Sequence, residues 1–198
     1  MRLFADRGFA ATGIRDISRS AGLNSAMIYH HTGGKEELLA VIMRAALANL
    51  LTVGEQAVTG IERPVVQLVR LVRTHVTMAA VNPLSVKVTN REVNALTGDN
   101  HTEIMDLRDR YEALFRDVLR QGTAAGELHP ADPVIARLAL IEMCNGVANW
   151  YRADGRLAVP ELVDRFADLT CRVVASRPVT RAETNPDVPI PHLDCEPR

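Results

Sequence analysis

Apolar residues recur at intervals of three and four through nearly the whole chain up to residue 176. This spacing collects them on one face of a helix, whereas a half-buried strand would need strict alternation. Aromatic residues make up only 4% of the chain, and its Ala, Leu and Val side chains suit helix-on-helix packing. The sequence therefore predicts an all-α fold. The best strand candidate, residues 86–89, has helical patterns on both sides.

The start of the chain is predicted to form three short helices separated by tight glycine turns. The second of these carries Ile14 and Ile17 on one face and stops at Gly22. A helix, a tight turn and a further short helix are typical of a helix-turn-helix. We expect Leu23 and Ile28 to pack beneath the third helix.

Six longer helices are predicted to follow and to form a larger bundle. The predicted organisation is a helix-turn-helix head at residues 1–46, a helical body at 47–176 and a disordered tail at 177–198. The tail contains five of the ten prolines and little periodic apolar pattern. Such a composition buries too little apolar surface to offset the entropy of ordering the chain.

Bulk composition excludes several classes of protein. The net charge is −1, although residues 1–35 carry five basic side chains against two acidic ones. Three widely spaced cysteines, Cys144, Cys171 and Cys195, indicate reduced thiols rather than a disulfide framework. No uninterrupted apolar run approaches 18 residues, and the N-terminus has no long apolar run of a secretory signal. These features predict a cytoplasmic protein that does not use a membrane.

The third helix is predicted to present a polar outer face. Its N-cap is Asn24 or Ser25, and its outward positions are Ser25, Ala26, Met27, Tyr29 and His30. The small residues would let the N-terminus of this helix approach another surface, and a helix N-terminus favours anions. With Lys35 one turn further on, the pattern fits contacts to phosphate groups.

The adjacent pair His30 and His31 has three other interpretations: a metal site, a catalytic pair or a solvated helix end. Neighbouring side chains point about 100° apart on a helix, so the two rings cannot easily share an ion. Catalysis needs a nucleophile and an orienting partner, and the sequence places neither nearby. No metal, cofactor or enzymatic activity is predicted, while the solvated helix end remains an alternative.

The same residues resemble the DNA-binding segment of the TetR family of transcriptional repressors. The matched positions are Leu3-Phe4, Arg7-Gly8-Phe9, Thr12, Ile14-Arg15-Asp16-Ile17, Ala21-Gly22-Leu23, Tyr29-His30-His31 and Lys35-Glu36-Glu37-Leu38-Leu39. The resemblance implies nine helices, a homodimer, a double-stranded palindromic operator and an effector pocket in the body. It also implies that the following residues meet DNA: Thr12, Arg15, Asn24, Ser25, Ala26, Met27, Tyr29, His30 and Lys35.

The chain departs from the family pattern at four places. It begins inside the first family helix, which is expected to be truncated, and Gly13 replaces a usual Ser or Thr. Ser25 stands where the family often has a basic residue, and Thr32 stands where it usually has Phe. The truncated first helix, Ser25 and Thr32 favour an alternative function, a dimeric helical ligand-binding protein in which DNA binding is weakened or lost.

Polar residues on otherwise apolar helices indicate where the body meets a ligand or a second subunit. Asn90 and Arg91 lie close together in sequence, and Asn145 and Asn149 are one turn apart. For Asn145 the favoured interpretation is a subunit interface, with a pocket as the alternative. Tyr111, Phe115 and Met143 are expected in the core, where lining a pocket is the alternative.

Two further segments, residues 91–128 and 145–157, resemble the bodies of actinobacterial TetR proteins that sense acyl-coenzyme A thioesters. This resemblance implies that Arg73, Arg91 or Arg108 meets the ligand's phosphates. The effector is therefore expected to be small and hydrophobic or acyl-CoA-like. The expected ligand-binding residues are Arg73, Arg91, Asn94, Arg108, Tyr111, Phe115, Met143, Asn149 and Trp150.

Overall fold

The structure is a computed structural model that describes residues 1–184 and 187–194, without the side chains of Ser25 and His31. The described residues contain helices and no strand, as predicted, and residues 86–89 lie within a helix. A short 3-10 turn, Val93–Ala95, joins two of the helices. The helices are α1 (Arg2–Arg7), α2 (Ile14–Ala21), α3 (Ser25–Thr32), α4 (Lys35–Val58), α5 (Pro64–Val81), α6 (Pro83–Arg91), α7 (Gly98–Ala124), α8 (Pro133–Trp150), α9 (Val159–Val173) and α10 (Arg181–Thr184).

The bundle of the body is built around α5, which is buried along most of its length. It packs against α4, α7, α8 and α9, so its apolar residues extend around the whole helix. Gly54 of α4 allows one close contact in this core, because a Cβ there would lie 2.8 Å from Cε2 of Tyr111. The centre of the body is therefore tightly packed.

The head consists of α1 to α3 and the start of α4. Phe4 and Phe9 pack with ring centroids 5.8 Å apart, and the buried Thr12 hydroxyl donates to the carbonyls of Leu3 (3.2 Å) and Gly8 (2.7 Å). The head joins the body through the continuous helix α4 and through packing of α1 against α6. Movements of α4 or α6 can therefore reach the head.

The start of α7 differs from its prediction. The sequence places a loop before a cap at Thr102, whereas α7 begins at Gly98 and Thr97 is its N-cap. The Glu36 carboxylate accepts hydrogen bonds from the backbone N–H of Thr97 at 2.7 Å and from its hydroxyl at 2.9 Å. A contact with α4 therefore fixes this helix start, and sequence spacing does not reveal it.

The described residues of the tail, which the sequence predicts to be disordered, contact the body. Asp187 accepts from the buried Arg73 at 2.9 Å, and the Asn82 amide donates to the carbonyl of Pro191 at 2.8 Å. Asp194 accepts from the backbone N–H groups of Leu84 (2.6 Å) and Ser85 (2.9 Å), at the first turn of α6. The tail lacks apolar periodicity, but its carboxylates partner a buried cation and an uncapped helix start.

Candidate nucleic-acid interface and ligand cavity

The turn between α2 and α3 is made by backbone hydrogen bonds and a glycine in the left-handed region. Gly22 has φ 65°, and the N–H of Leu23 donates to the carbonyl of Ser18 at 2.9 Å. The side chain of Asn24 accepts from the N–H of Met27 at 2.8 Å and so caps α3. Ile28 is buried beneath the helix. The two helices therefore have the arrangement of a helix-turn-helix.

The outer face of α3 is exposed, as the sequence predicts for a helix that meets DNA. Ala26, Met27, Tyr29 and His30 are all exposed, and Tyr29 keeps 56% of its surface accessible. Leu23 was expected beneath α3 but is 44% exposed, because it lies in the turn before the helix rather than on its inner face. The side chains of Ser25 and His31 lie outside the described part of the structure.

Two residues predicted to hold phosphate are instead engaged inside the head. The hydroxyl of Thr12 is buried and donates to backbone carbonyls. The ammonium of Lys35 donates to the carbonyl of Phe9 at 2.9 Å and lies 4.0 Å from the centroid of its ring. Arg15, by contrast, is exposed, so its guanidinium is accessible to a phosphate.

A cavity of about 30 Å³ lies within the body between α4, α5, α6 and α8. This volume holds roughly one water molecule. Its lining is mainly apolar and includes one residue of the tail, Leu193. The lining residues are Ala46, Leu47, Leu50, His75, Met78, Ser85, Val86, Thr89, Asn90, Asn145 and Leu193.

A chain of polar contacts crosses the wall of this cavity. Nε2 of the buried His75 lies 3.0 Å from Oδ1 of Asn145, and Nδ2 of Asn145 donates to the Glu142 carboxylate at 3.3 Å. Burial lowers the pKa of His75 to about 4, although its hydrogen bond with Asn145 acts in the opposite direction. The imidazole is therefore neutral near pH 7.

A second cavity, of about 120 Å³, adjoins the first, because Val86, Asn90 and Asn145 line both. Its lining also includes Lys87 and Arg91. We call it the polar mouth, and its full lining is Val86, Lys87, Asn90, Arg91, Glu142, Asn145, Gly146, Ala148 and Asn149. The two cavities together place charged and polar groups beside an apolar lining, the usual composition of a small-molecule site.

Some of the predicted ligand-binding residues come together here. Arg91 donates to Oδ1 of Asn149 at 3.0 Å, and both lie at the polar mouth. Tyr111 and Phe115 line neither cavity. Tyr111 packs edge-on to His75 with ring centroids 5.4 Å apart, and Phe115 packs on Tyr111 at 5.7 Å. Burial raises the pKa of Tyr111, whose hydroxyl has no hydrogen-bond partner among the described residues.

Other predicted ligand-binding residues lie elsewhere. Arg73 is buried away from the polar mouth and paired with Asp164 (2.6 Å) and Asp187 (2.9 Å), so it joins α5 to α9 and to the tail. Trp150 is 54% exposed at the end of α8 and stacks on Phe166 with centroids 6.3 Å apart. The remaining three do not line either cavity: Asn94 is exposed, Met143 is half-buried, and Arg108 donates to the carbonyl of Thr89.

Sequence reasoning missed His75 and Lys87 and favoured a subunit interface for Asn145, which lies in the cavity wall. The sequence did offer one signal for His75, because it is the only histidine within the apolar run of α5. Its partner Asn145 lies 70 positions further along the chain, so no local pattern joins them.

Among residues 1–184 and 187–194, no group of three or more His, Cys, Asp or Glu side chains is placed to hold a metal ion.

Helix α4 is long and apolar enough to cross a membrane by length and composition alone. Its buried face packs on α5 and α7, so the core of the bundle accounts for this apolar character.

An exposed helix-turn-helix joined by one long helix to a bundle with an internal cavity defines a ligand-responsive DNA-binding regulator. Residues 1–42 match the family of bacterial regulatory proteins named tetR, and residues 62–174 match the tetracyclin repressor-like C-terminal domain. The chain therefore belongs to the TetR family. This membership confirms the prediction of a transcriptional regulator rather than an enzyme.

Relatives are similar over most of this chain. The HTH-type transcriptional repressor KstR2 of Rhodococcus jostii is 27% identical over 176 residues, which is 88% of this chain and 86% of that protein. The TetR family regulator PfmR of Thermus thermophilus superposes with a TM-score of 0.78 at 30% identity, over 89% of this chain and 94% of PfmR. AibR, solved with isovaleryl coenzyme A and operator DNA, shares the fold with a TM-score of 0.77 at 24% identity, over 88% and 94% of the two chains.

Proposed function

We propose that this chain is a cytoplasmic transcriptional repressor that binds a palindromic operator as a homodimer and leaves it when an acyl-CoA-like effector binds. The names of its relatives support both halves of this proposal. KstR2 is named as a repressor, and AibR was solved with both an acyl-CoA and operator DNA. The two functions correspond to the exposed α3 of the head and the cavity of the body.

The homodimer is supported by an apolar surface on α8 and α9. Ile135 is 61% exposed, and Leu138 lies one turn further along α8 with 44% exposed. Leu169 and Val173 repeat this pattern on α9, with 44% and 41% exposed. Two copies joined along these helices bury the surface in a symmetric interface and carry two recognition helices, one for each half-site.

The observation that carries the effector class is the polar mouth next to an apolar cavity. Lys87 and Arg91 provide cationic groups for phosphates, and Leu47, Leu50 and Met78 provide an apolar wall for an acyl chain. An acyl-CoA has this division between a phosphorylated nucleotide and an apolar tail. The cavity of about 30 Å³ must expand to admit the acyl group.

Such an expansion is coupled to the head through two helices. Helix α4 contributes Leu47 and Leu50 to the cavity and begins in the head at Lys35. Helix α6 contributes Ser85 and packs against α1. An effector that favours the expanded body therefore disfavours the arrangement of heads that binds the operator, and the two sites are linked.

The proposal is tested by fluorescence anisotropy on labelled DNA from upstream of the chain's own gene. We expect salt-sensitive binding, release by isovaleryl-CoA or hexanoyl-CoA, and no release by free coenzyme A. Arg91→Ala should weaken the response to acyl-CoA, whereas Arg110→Ala, on the exposed face of α7, should not.

Two results would contradict parts of the proposal. Thermal stabilisation by acyl-CoA without any binding of the DNA fragment would favour the alternative of a dimeric ligand-binding protein. DNA binding without stabilisation or release by any acyl-CoA would reject the effector class.

A further inference from the structure

One buried acceptor in the cavity wall is not used by any described group. His75 is 2% exposed and lines the cavity, and its Nδ1 has no hydrogen-bond partner among the described residues. Most buried polar side-chain atoms in folded proteins are hydrogen-bonded. The position of this atom therefore bears on the chemistry of the ligand.

The neighbouring contacts determine which ring nitrogen carries the proton. A carboxylate only accepts, so the Glu142 oxygen faces the Nδ2 donor of Asn145 (3.3 Å). Oδ1 of Asn145 is then the atom that faces His75 at 3.0 Å, and Nε2 of the imidazole must donate to it. Nδ1 of the neutral ring is consequently a lone-pair acceptor. Burial lowers the pKa of His75 to about 4, so this state persists near pH 7.

The nearby hydroxyl groups do not satisfy Nδ1. The hydroxyl of Tyr111, whose ring packs on His75, also has no partner among the described residues, so the two are not bonded to each other. Ser85 donates its hydroxyl to Asp194, and Thr89 donates to the carbonyl of Ser85. Both hydroxyls of the cavity lining are therefore used elsewhere. Because no described side chain supplies the donor, a ligand that displaces water from the cavity has to bring its own donor for Nδ1.

We propose that the effector carries a hydroxyl group on its apolar part, and that this hydroxyl donates to Nδ1 of His75. The inference rests on the proposed function and narrows its effector class from acyl-CoA to hydroxyacyl-CoA thioesters. A plain acyl chain would cover the acceptor without pairing it, and an unpaired buried acceptor is unfavourable. His75 is thus a specificity-determining residue, positioned by Asn145 and Glu142.

The test compares ligands that differ only in the hydroxyl. Isothermal titration with hexanoyl-CoA, 3-hydroxyhexanoyl-CoA and 6-hydroxyhexanoyl-CoA should show at least one hydroxylated ligand binding about tenfold more tightly than the plain one. His75→Leu should abolish this preference while retaining hexanoyl-CoA binding. His129→Leu, a matched change at an exposed residue outside the cavity, should preserve the preference.

Three outcomes would overturn the inference. Equal affinity for plain and hydroxylated ligands in the wild type would show that no hydroxyl is selected. A preference that survives in His75→Leu would place the selection elsewhere. Equal weakening of all three ligands by His75→Leu would indicate that the donor is an amide N–H of the pantetheine arm that they share.

A second measurement separates this inference from the effector class and does not depend on how the variant folds. In wild-type protein with ¹⁵N-labelled histidine, Nδ1 of His75 should have the chemical shift of an unprotonated nitrogen. Cyclohexanol should move that signal, and methylcyclohexane should not. If no acyl-CoA binds but cyclohexanol has this effect, the effector class fails and the hydroxyl inference stands. If Nδ1 is protonated, or cyclohexanol leaves it unmoved, the inference fails.

Discussion

The head and the body hold their functional side chains in opposite ways. In the head, Ala26, Met27 and Tyr29 lie exposed on α3. In the body, His75 and Tyr111 are buried where several helices meet. A surface that meets DNA can be built from one short helix, whereas a cavity needs side chains from distant segments. The comparison explains why local sequence pattern describes the exposed face of α3 more completely than the lining of the cavity.

The largest expected effect concerns the core of the body. Phe115 is fully buried, and Phe115→Ala should lower the free energy of unfolding by about 3–5 kcal/mol. Urea denaturation followed by circular dichroism measures this loss. Phe9→Ala, at a half-buried position in the head, should cost less. The reverse order would contradict the view that packing is tighter in the body than in the head.

The buried histidine should make the stability of the body depend on pH. Burial lowers the pKa of His75 from 6.5 to about 4, so between these values the unfolded chain binds a proton that the folded chain does not. The contribution is fully present above pH 6.5 and is lost as the pH falls to 4, by about 3 kcal/mol. Urea titrations across this range should show the loss in wild type and His129→Leu but not in His75→Leu. An unchanged pH profile in His75→Leu would refute this account.

A substitution on the exposed side of the head should change the salt dependence of operator binding rather than the stability against denaturant. Arg15→Ala removes one accessible cation, so operator affinity should fall similarly across DNA sequences. The slope of log affinity against log salt concentration should become shallower by about 1. Anisotropy titrations at several salt concentrations provide the measurement. Arg120→Ala, exposed on α7, is the control, and an equal change there would remove the assignment of Arg15 to the DNA surface.

A smaller effect is expected where the tail meets the body. Asp194→Ala removes the carboxylate that accepts from the N–H groups of Leu84 and Ser85. Loss of such a helix cap should lower stability by about 1 kcal/mol, measured as a fall in the urea midpoint. Pro189→Ala, exposed in the same segment, should have little effect. If Asp194→Ala matched this control, the tail would not be docked on α6 in solution.

The smallest expected effect distinguishes two roles of one lysine. Lys35→Met keeps the apolar stem but removes the ammonium that contacts Phe9. Stability should fall by about 0.5–1 kcal/mol, with no change in the salt slope of operator binding. A slope as shallow as that of Arg15→Ala would instead restore the sequence-based assignment of Lys35 to phosphate.

Much of the fold followed from local pattern. Apolar spacing predicted helices throughout the head and body, and Gly22 marked a helix end that the structure contains. These signals are local because a helix closes its hydrogen bonds within four residues. The outer face of α3 was predictable for the same reason, since one helix alone decides which of its residues share a face.

The contacts that local pattern did not reveal share a different cause. Arg73 was assigned to a ligand, yet its partners lie 91 and 114 positions away, at Asp164 and Asp187. The tail was expected to be disordered because it lacks apolar periodicity. That pattern does not reveal that its carboxylates contact Arg73 of α5 and the first turn of α6. Thr12 and Lys35 matched a family pattern, but their neighbours inside the head determine where these side chains point.

The amino-acid sequence alone determined the helical class, the helix-turn-helix and the family, because these depend on residue type at fixed short spacing. Tertiary structure decided that His75 meets Asn145 in a cavity wall, that Arg91 and Lys87 line the adjoining polar mouth, and that the tail reaches α6. Such contacts depend on how helices pack across the whole chain. The chemistry of the ligand site is therefore a property of the assembled bundle, while the DNA surface is largely a property of one helix.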